Sequence, residues 1–455
     1  MLPPDFQQQM QTLLGPEYAA FEAALQAPPP VSIRLNGAKS PARLPFPDTK
    51  PVPWHPRGLY LSERPVFTLD PLLHAGAYYV QEASSMFVYE AARQTTDFSK
   101  PLKVLDLCAA PGGKSTLLAE LLSPDSLLVA NEAIQSRVAP LRENLERWGL
   151  PNIAVTQADV EVFDAFEGWF DLVLTDAPCS GEGLFRKDPN ARDEWSPAHV
   201  GLCAARQRRI LASAAQALAP GGVLLYSTCT YNRLENEDNV GWLRAEFGLE
   251  SLALDLPAEW GITAADSQYH FYPHLLRGEG FFLAALRKPA GNSPRYQVPA
   301  SFRSLKPLSK TQLPELSNWV SDATTFRFYH TPGEDILALP ATLEQEYLLL
   351  DKHLKNKWFG VNIGQFKGRD FIPSHALALS VAVSHQLPRV ELSREQALLF
   401  LKKETFDLPP DAPKGWALAT YENLPLGWMK VLPNRMNNYL PAERRIRMDV
   451  KGAMP

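Results

Sequence analysis

The stretch Lys103-Val104-Leu105-Asp106-Leu107-Cys108-Ala109-Ala110-Pro111-Gly112-Gly113-Lys114-Ser115 decides the fold of this chain. It begins as a short apolar strand, passes through a turn of small residues, and enters a helical pattern over 114–122. A tight, glycine-containing turn between a strand and a helix lets backbone amides approach a ligand closely. The stretch therefore predicts the first strand, first helix and ligand-binding loop of an α/β domain.

Strand and helix patterns keep alternating after this stretch. Apolar strands are predicted over 127–130, 153–155 and 171–174, and a long alanine-rich helix over 197–218 precedes the strand 223–226. This alternation predicts a parallel, doubly wound sheet. The late apolar run 280–286 is expected to add a strand at one edge of that sheet.

Composition and charge limit the class of protein. A chain of 455 residues favours two to four domains, and its 45% hydrophobic and 21% charged content is typical of a soluble globular protein. The net charge of −5 argues against a chain that is basic throughout, although a local basic face stays compatible with it. We expect no signal peptide and no membrane span.

The four cysteines lie at positions 108, 179, 203 and 229, without the paired short spacings of a zinc site. We therefore expect no metal, no disulfide framework, and a reducing cytoplasmic location.

Four domains are predicted. Residues 1–97 read as a small α+β domain with strands near 31–36, 58–61 and 65–68, and 98–289 as the α/β domain. Residues 290–379 begin with a linker rich in Pro, Ser and Gly and continue into strands over 324–340. Residues 380–455 show short strands and turns.

Acidic residues follow successive strands of the predicted sheet. Glu132 follows the second strand, Asp159 the third, and Asp176 ends the fourth. Each one alone is equally well explained as a helix cap, but the ordered series favours an adenosine-bearing ligand with a cationic group. A phosphate-binding P-loop is disfavoured because Cys108 stands where that motif needs glycine.

Two cysteines are predicted at the carboxyl edge of the sheet. Thr175-Asp176-Ala177-Pro178-Cys179-Ser180-Gly181 places a carboxylate and a thiol on one loop, and Cys229 directly follows the strand 223–226. A single buried cysteine is more often a small core residue, and Cys203, inside the alanine-rich helix, is interpreted in that way. Cys179 and Cys229 on neighbouring loops instead indicate a reactive site.

The motifs Asp106–Lys114, Asp176–Gly181 and Ser227–Tyr231, in this order, resemble those of the Sun-type (nucleolar antigen-related) RNA (cytosine-5)-methyltransferases. The resemblance covers residues 70–288. It implies a Rossmann-like core with a mostly parallel seven-stranded sheet, and S-adenosylmethionine as the cofactor. The overall layout is similar to bacterial small-subunit ribosomal RNA methyltransferases of the RsmF type, which implies an RNA-binding or cap domain over 1–97, an RsmF-type middle domain and a β-rich PUA-like RNA-binding domain over 380–455.

The resemblance also implies roles for individual residues. Cys229 would attack carbon 6 of cytosine, Asp176 would hydrogen-bond to the base, and Cys179 would assist release of the product. Glu132 would bind the ribose, Asp159 would lie beside the adenine, and Arg137 would lie near the cofactor. The residues expected around the methionine end are Cys108, Ala109, Ala110, Pro111, Gly112, Gly113 and Lys114, with Asp176 nearby.

The partner expected from this resemblance is 16S ribosomal RNA, bound by a monomer. RNA is favoured over DNA because the DNA enzymes use the Pro-Cys cysteine as nucleophile and lack the Thr-Cys-Thr motif, whereas this chain has both thiols. Transfer RNA is the alternative substrate, and a catalytically silent RNA-binding assembly factor is the alternative from another class. Lys357-Trp358-Phe359 and Arg444-Arg445-Ile446-Arg447 either contact RNA or form a solvated charged face with buried aromatics.

Overall fold

The computed structural model of the chain describes residues 2–309 and 311–450. Within these ranges, none of the helices combines the length and apolar character that crossing a membrane requires.

The helices and strands fall into three consecutive parts of the chain. The N-terminal part contains α1 (Pro4–Leu14), α2 (Tyr18–Gln26), β1 (Val31–Leu35), β2 (Lys50–Pro51), β3 (Gly58–Leu61), α3 (Pro71–Ala75) and β4 (Tyr78–Val80). The central part contains α4 (Val88–Thr95), β5 (Lys103–Asp106), α5 (Gly113–Ala119), β6 (Leu127–Asn131), α6 (Gln135–Trp148), β7 (Ile153–Gln157), β8 (Phe170–Asp176), α7 (Pro189–Glu194), α8 (Pro197–Ala217), β9 (Leu218–Thr228), α9 (Glu237–Phe247), β10 (Glu250–Ser251), β11 (Thr263–Ala265), β12 (Gln268–Phe271) and β13 (Phe281–Arg287). The C-terminal part contains β14 (Lys306–Pro307), α10 (Leu313–Leu316), β15 (Phe326–His330), β16 (Ile336–Pro340), α11 (Glu344–His353), β17 (Asn356–Phe359), β18 (Val361–Lys367), β19 (Asp370–Pro373), α12 (His375–Leu379), β20 (Arg389–Glu391), α13 (Arg394–Lys402), β21 (Gly415–Tyr421), β22 (Leu424–Leu432) and β23 (Arg435–Asn438).

A ten-stranded sheet forms the centre of the molecule. Its order is β11-β12-β13-β9-β8-β5-β6-β7-β17, with β10 paired to β13. The strands β5 to β9 are parallel to one another, and the remaining strands of this sheet pair antiparallel. The predicted α/β class and parallel, doubly wound core are confirmed.

Two apolar cores cover the two faces of this sheet. Consecutive residues of a strand point to opposite faces, so Val104 packs in one core with Leu117 and Leu141, whereas Leu105 packs in the other with Ile210. Because helices cover both faces, the inner strands are apolar at nearly every position.

The long helix α8 shows why these residues fold locally as they do. The Ser196 side chain accepts a hydrogen bond from the backbone N–H of His199, and Pro197 occupies the first helical turn. The residues it buries recur every three or four positions, at Val200, Cys203, Gln207, Ile210, Leu211 and Ala214. Cys203 is therefore a core residue, as predicted.

Three smaller sheets flank the centre. The N-terminal part forms the order β2-β3-β1-β4, and the C-terminal part forms β14-β15-β16-β18-β19 and β20-β21-β22-β23. The linker predicted from residue 290 has little regular structure before β14, and the strands predicted over 324–340 are present as β15 and β16.

Three expectations are corrected. The sheet has ten strands and not seven, because the C-terminal part adds β17 beside β7, and β10, β11 and β12 extend the other side. The run 280–286 is not an edge strand, since β13 lies between β9 and β12. Residues 65–68 form no strand, because Phe67–Leu69 close a single 3₁₀ turn after Pro65.

Candidate active site

The carboxyl ends of the parallel strands converge on one edge of the central sheet. β8 ends at Asp176, which pairs in register with Ser227 of β9, two residues before Cys229. β5, the neighbour of β8 on its other side, ends at Asp106. The topology therefore brings together the two loops that sequence analysis predicted to be reactive.

The two predicted thiols are in direct contact. The Sγ atoms of Cys179 and Cys229 lie 3.0 Å apart, and the backbone N–H of Cys229 donates to Cys179 Sγ at 3.3 Å. Both residues are half-buried and neither is in a disulfide. The hydrogen bond with Cys229, together with burial, raises the pKa of the Cys179 thiol well above its ordinary value. Cys179 is therefore a neutral thiol at neutral pH.

Asp176 is held by donors on both of its oxygens. Lys114 Nζ donates to Oδ2 at 2.7 Å, and Ser227 Oγ donates to Oδ1 at 2.8 Å. Burial acts to lower the pKa of Lys114, but the attraction and hydrogen bond of Asp176, with further attraction from neighbouring acidic groups, together outweigh it, so the net shift is upward. Lys114 thus stays cationic beside the Asp176 carboxylate, and this ion pair joins the glycine-containing loop to the β8 loop.

Asp106 and Cys108 lie beneath these groups. Asp106 is fully buried and accepts a hydrogen bond from Ser115 Oγ at 2.6 Å. Burial raises its pKa to about 7, with repulsion by Asp176 adding to the shift and the Ser115 hydrogen bond opposing it. Burial and then repulsion by Asp106 raise the pKa of Cys108 well above its ordinary value, so Cys108 is not a reactive thiol.

Backbone hydrogen bonds fix the loop expected to cradle the cofactor. Arg137 Nη2 donates to the carbonyl of Ala110 at 2.7 Å, Asn144 Nδ2 donates to that of Pro111 at 2.8 Å, and the N–H of Ala109 donates to Asn131. Gly112 adopts φ = +109°, a conformation that side chains other than glycine rarely adopt. These contacts give the loop a single shape, with little side-chain bulk between it and a ligand.

The carboxylates after β6 and β7 differ in their surroundings. Glu132 is buried; its Oε1 accepts from the N–H of Ile134 at 2.9 Å, and its Oε2 lies 3.3 Å from Arg137 Nη1. Among the described residues this Oε2 receives no hydrogen bond. Since this oxygen is ion-paired with Arg137 but accepts no hydrogen bond, it can still accept one from a ribose hydroxyl, so these residues fit a nucleoside-bearing ligand.

Asp159 instead is half-exposed and accepts from the N–H of Glu161 at 3.4 Å, while Arg209 lies 3.2 Å from it. It therefore combines the capping role with a position at the same sheet edge.

Several residues of the two basic stretches in the C-terminal part have partners within the protein. Lys357 Nζ pairs with the buried Asp351 at 2.7 Å, Phe359 is buried, and Arg142 lies over the Trp358 ring at 4.4 Å. The interpretation of Lys357-Trp358-Phe359 as a structural element is therefore favoured over an RNA contact. Arg444 pairs with Glu143 and Glu146 of α6, whereas Arg445 and Arg447 are exposed.

The residues that hold the two cysteine loops together were not predicted from the sequence. Glu182 and Glu235 are fully buried carboxylates. Glu182, three residues after Cys179, accepts hydrogen bonds from the Cys229 loop, and Glu235 accepts from residues of both loops. The pairing of Lys114 with Asp176 was likewise not predicted. The sequence feature that could have identified the two glutamates is their proximity to the cysteines, because Glu182 follows Cys179 by three residues and Glu235 follows Cys229 by six.

Comparison with known protein families gives three consecutive matches. Residues 95–287 match the family described as 16S rRNA methyltransferase RsmB/F. Residues 2–83 match the N-terminal domain of 16S rRNA methyltransferase RsmF, and residues 387–446 match the RsmF PUA domain. The expected PUA-like region is thereby confirmed.

Whole proteins give the same result. The chain is 34% identical to ribosomal RNA small subunit methyltransferase F of Pectobacterium carotovorum, covering 97% of this chain and 95% of that protein. It is 33% identical to the protein of the same name from Serratia proteamaculans, covering 97% and 96%. A crystal structure of a methyltransferase homolog from Pyrococcus horikoshii superposes with a TM-score of 0.52 at 27% identity, covering 63% of this chain and all of that one.

Proposed function

Because this chain belongs to the 16S rRNA methyltransferase RsmB/F family, and is thus an S-adenosylmethionine-dependent methyltransferase, we propose that it methylates carbon 5 of cytosine in 16S ribosomal RNA. The observation that carries this proposal is the 3.0 Å contact between Cys179 Sγ and Cys229 Sγ, on loops adjoining Asp176. Two thiols and a carboxylate supply the nucleophile, the proton carrier and the base-binding group that cytosine C5 chemistry needs.

The first step belongs to Cys229. Carbon 5 of cytosine is a weak nucleophile until a thiolate adds to carbon 6, forming an S–C6 bond and moving electron density onto carbon 5. Asp176 would hydrogen-bond to the amino and ring-nitrogen edge of the base. Since Lys114 and Ser227 each donate to one Asp176 oxygen, that carboxylate is already oriented before the base arrives.

Methyl transfer follows, and it depends on the second ligand. When bound, S-adenosylmethionine supplies an electrophilic methyl group. The loop 108–114, Glu132, Arg137 and Asp159 would hold it, and the buried Glu132 Oε2 offers an acceptor for its ribose.

Release of the product is assigned to Cys179. A base removes the proton from carbon 5, the S–C6 bond breaks, and Cys229 leaves as a thiolate. The pKa of Cys179 is raised first by its hydrogen bond with Cys229 and then by burial. Once Cys229 is bonded to carbon 6, its hydrogen bond with Cys179 is lost, so the pKa of Cys179 falls. Cys179 then releases its own proton to solvent, and the resulting thiolate accepts the carbon 5 proton, directly or through water.

Substitution of the two cysteines tests the assignment. We expect Cys229→Ala to abolish methyl transfer, because no adduct can form. We expect Cys179→Ala to accumulate a covalent adduct with RNA, because the S–C6 bond then breaks slowly. Incubation with labelled cofactor and RNA, followed by denaturing gel electrophoresis, distinguishes free RNA from the slower adduct. The opposite behaviour of the two variants would exchange the roles of the cysteines.

The RNA is tested by the same labelling reaction. Offering 16S ribosomal RNA and transfer RNA separately, then mapping the labelled base, should place the label on carbon 5 of a cytosine in 16S RNA. Label on transfer RNA alone would contradict the substrate, and label on neither would favour a catalytically silent assembly factor.

A further inference from the structure

The Glu182 side chain lies fully buried between the Cys179 loop and the Cys229 loop. Its Oε2 accepts three hydrogen bonds, all from the three residues that follow Cys229. These come from Thr230 Oγ1 at 2.6 Å, the N–H of Tyr231 at 2.8 Å and the N–H of Asn232 at 3.0 Å. One carboxylate oxygen therefore fixes the backbone directly after the proposed nucleophile.

The other oxygen of Glu182 joins the same loop to two helical segments. Oε1 accepts from Gln9 Nε2 of α1 at 3.1 Å, from Trp195 Nε1 at 3.1 Å and from Asn232 Nδ2 at 3.2 Å. All six polar groups that contact this carboxylate are hydrogen-bond donors. A buried carboxylate is stable in such a setting because hydrogen bonds replace its lost hydration.

Two further contacts hold the cysteine loops together. The N–H of Gly183 donates to the carbonyl of Cys229 at 2.9 Å. Glu235 accepts from the N–H of Ser180 at 3.0 Å and from Asn232 Nδ2 at 2.7 Å, so it bridges the residue after Cys179 to the Cys229 loop. The 3.0 Å separation of the thiols is thus set by a buried polar network.

Aromatic side chains of the first two helices support this network from behind. The Tyr231 ring centroid lies 5.2 Å from that of Phe21, and the Phe6 centroid lies 4.8 Å from that of Phe185. Phe6, Phe21, Phe185 and Tyr231 are all buried in one apolar cluster. The N-terminal helices therefore pack directly against both cysteine loops.

We propose that Glu182 is a positioning residue for Cys229, and that α1 completes the site by donating Gln9 to the same carboxylate. The proposal rests on the proposed function, in which Cys229 attacks the base. The physical reason is that six hydrogen-bond donors converge on the Glu182 side chain, so each of its two oxygens must be an acceptor. In Glu182→Gln, the new amide nitrogen would face the three donors of one oxygen, so that side loses its hydrogen bonds. A displacement of about 1 Å at a nucleophile can reduce a rate about a hundredfold.

The experiment measures formation of the covalent adduct in the Cys179→Ala background. Purified full-length Cys179→Ala and Cys179→Ala/Glu182→Gln are mixed with 16S ribosomal RNA and S-adenosylmethionine, and the slow-migrating adduct is followed over time. We expect the second substitution to slow adduct formation by about tenfold to a hundredfold. Binding of S-adenosylhomocysteine and the RNA concentration for half-maximal rate should each change less than about threefold, since Glu182 would act on the nucleophile and not on binding.

A matched variant separates positioning from general stability. Asp351 is also a buried carboxylate, accepts a hydrogen bond from the N–H of Arg303, forms an ion pair with Lys357 Nζ at 2.7 Å, and lies outside both cysteine loops. Asp351→Asn in the same background should lower the melting temperature while leaving adduct formation within about twofold below that temperature. Equal slowing by Asp351→Asn and Glu182→Gln would overturn the proposal.

Two other outcomes are decisive. If Glu182→Gln does not fold, Thr230→Val removes one of the six donors with little change in shape, and should slow adduct formation about tenfold. Adduct formation at an unchanged rate in the folded Glu182 or Thr230 variant overturns the positioning role. Absence of adduct in Cys179→Ala alone overturns the proposed function itself, which distinguishes the two failures.

Discussion

Single side chains at the carboxyl edge of the sheet share one physical condition, burial beside other acidic groups. Burial raises the pKa of Asp106 to about 7, and it raises the pKa of Cys108 well above its ordinary value. The pKa of Cys179 is also raised, and the largest cause is its hydrogen bond with Cys229. Cys108 and Cys179 are therefore protonated at neutral pH and do not compete with Cys229, the proposed nucleophile.

The buried Asp106 should make the stability of the folded protein depend on pH. Its folded-state pKa of about 7 lies above the ordinary value of 3.8. Between these pH values the folded chain holds a proton that the unfolded chain has released. The contribution to stability is therefore complete below about pH 4 and is lost as the pH rises to about 7. We expect Asp106→Asn to remove a slope of up to about 1.4 kcal/mol per pH unit in the free energy of unfolding over this window.

Urea unfolding at several pH values from 4 to 8 measures this slope. Asp97→Asn is the control, because hydrogen bonding to Ser99 lowers the pKa of that exposed aspartate to about 2, below the window. Identical slopes for the unsubstituted chain and Asp106→Asn would contradict the prediction.

At the scale of one element, β17 shows how a basic-aromatic stretch serves the fold. It pairs antiparallel with β7, with Lys357 opposite Thr156 and Phe359 opposite Ala154. Lys357 reaches back to the buried Asp351, and Phe359 enters the core. This part of the chain extends the central sheet, and its cation is used within the protein.

Lys357→Met tests this interpretation. Removing the cation leaves the Asp351 carboxylate buried without its charged partner, so we expect the free energy of unfolding to fall by about 3 kcal/mol. RNA affinity should stay unchanged. Lys355→Met is the matched control, because Lys355 is two residues away and exposed, and its loss should leave stability nearly unchanged. A large loss of RNA affinity in Lys357→Met without loss of stability would restore the RNA-contact interpretation.

At the scale of the whole molecule, the two ends of the chain share a core. Leu61, Leu72 and Tyr78 of the N-terminal part pack with Leu398 and Leu426 of the C-terminal part. In a second cluster, Leu418 and Trp428 of the last sheet pack with residues of the preceding sheet. Arg444 further pairs with Glu143 and Glu146 of α6. The last sheet is therefore part of the structural framework in addition to its PUA assignment.

A truncated chain tests this mutual support. We expect a protein ending at Gln386 to expose the apolar N-terminal residues that the last sheet covers, and so to be cleaved by protease within residues 28–83. The full-length protein should resist cleavage there under the same conditions. Limited proteolysis with mass spectrometry locates the cuts, and equal resistance of the two proteins would show that the N-terminal part folds independently.

The sequence by itself determined the α/β class, the order of the parallel strands and helices, and the convergence of Asp176, Cys179 and Cys229. Each of these follows from local patterns, because alternation of strands and helices dictates a parallel sheet whose carboxyl ends meet at one edge. The glycine-containing turn Asp106–Lys114 could also be predicted from the sequence, because it is one contiguous segment.

Only the tertiary structure decided which distant residues pair. The addition of β17 beside β7, the contact of Gln9 with Glu182 across 173 positions, and the pairing of Lys357 with Asp351 depend on long-range packing that no local pattern encodes. For the same reason, the sequence Lys357-Trp358-Phe359 is the same whether the lysine contacts RNA or pairs with a buried carboxylate. Burial separates the two cases, and burial is a property of the folded chain.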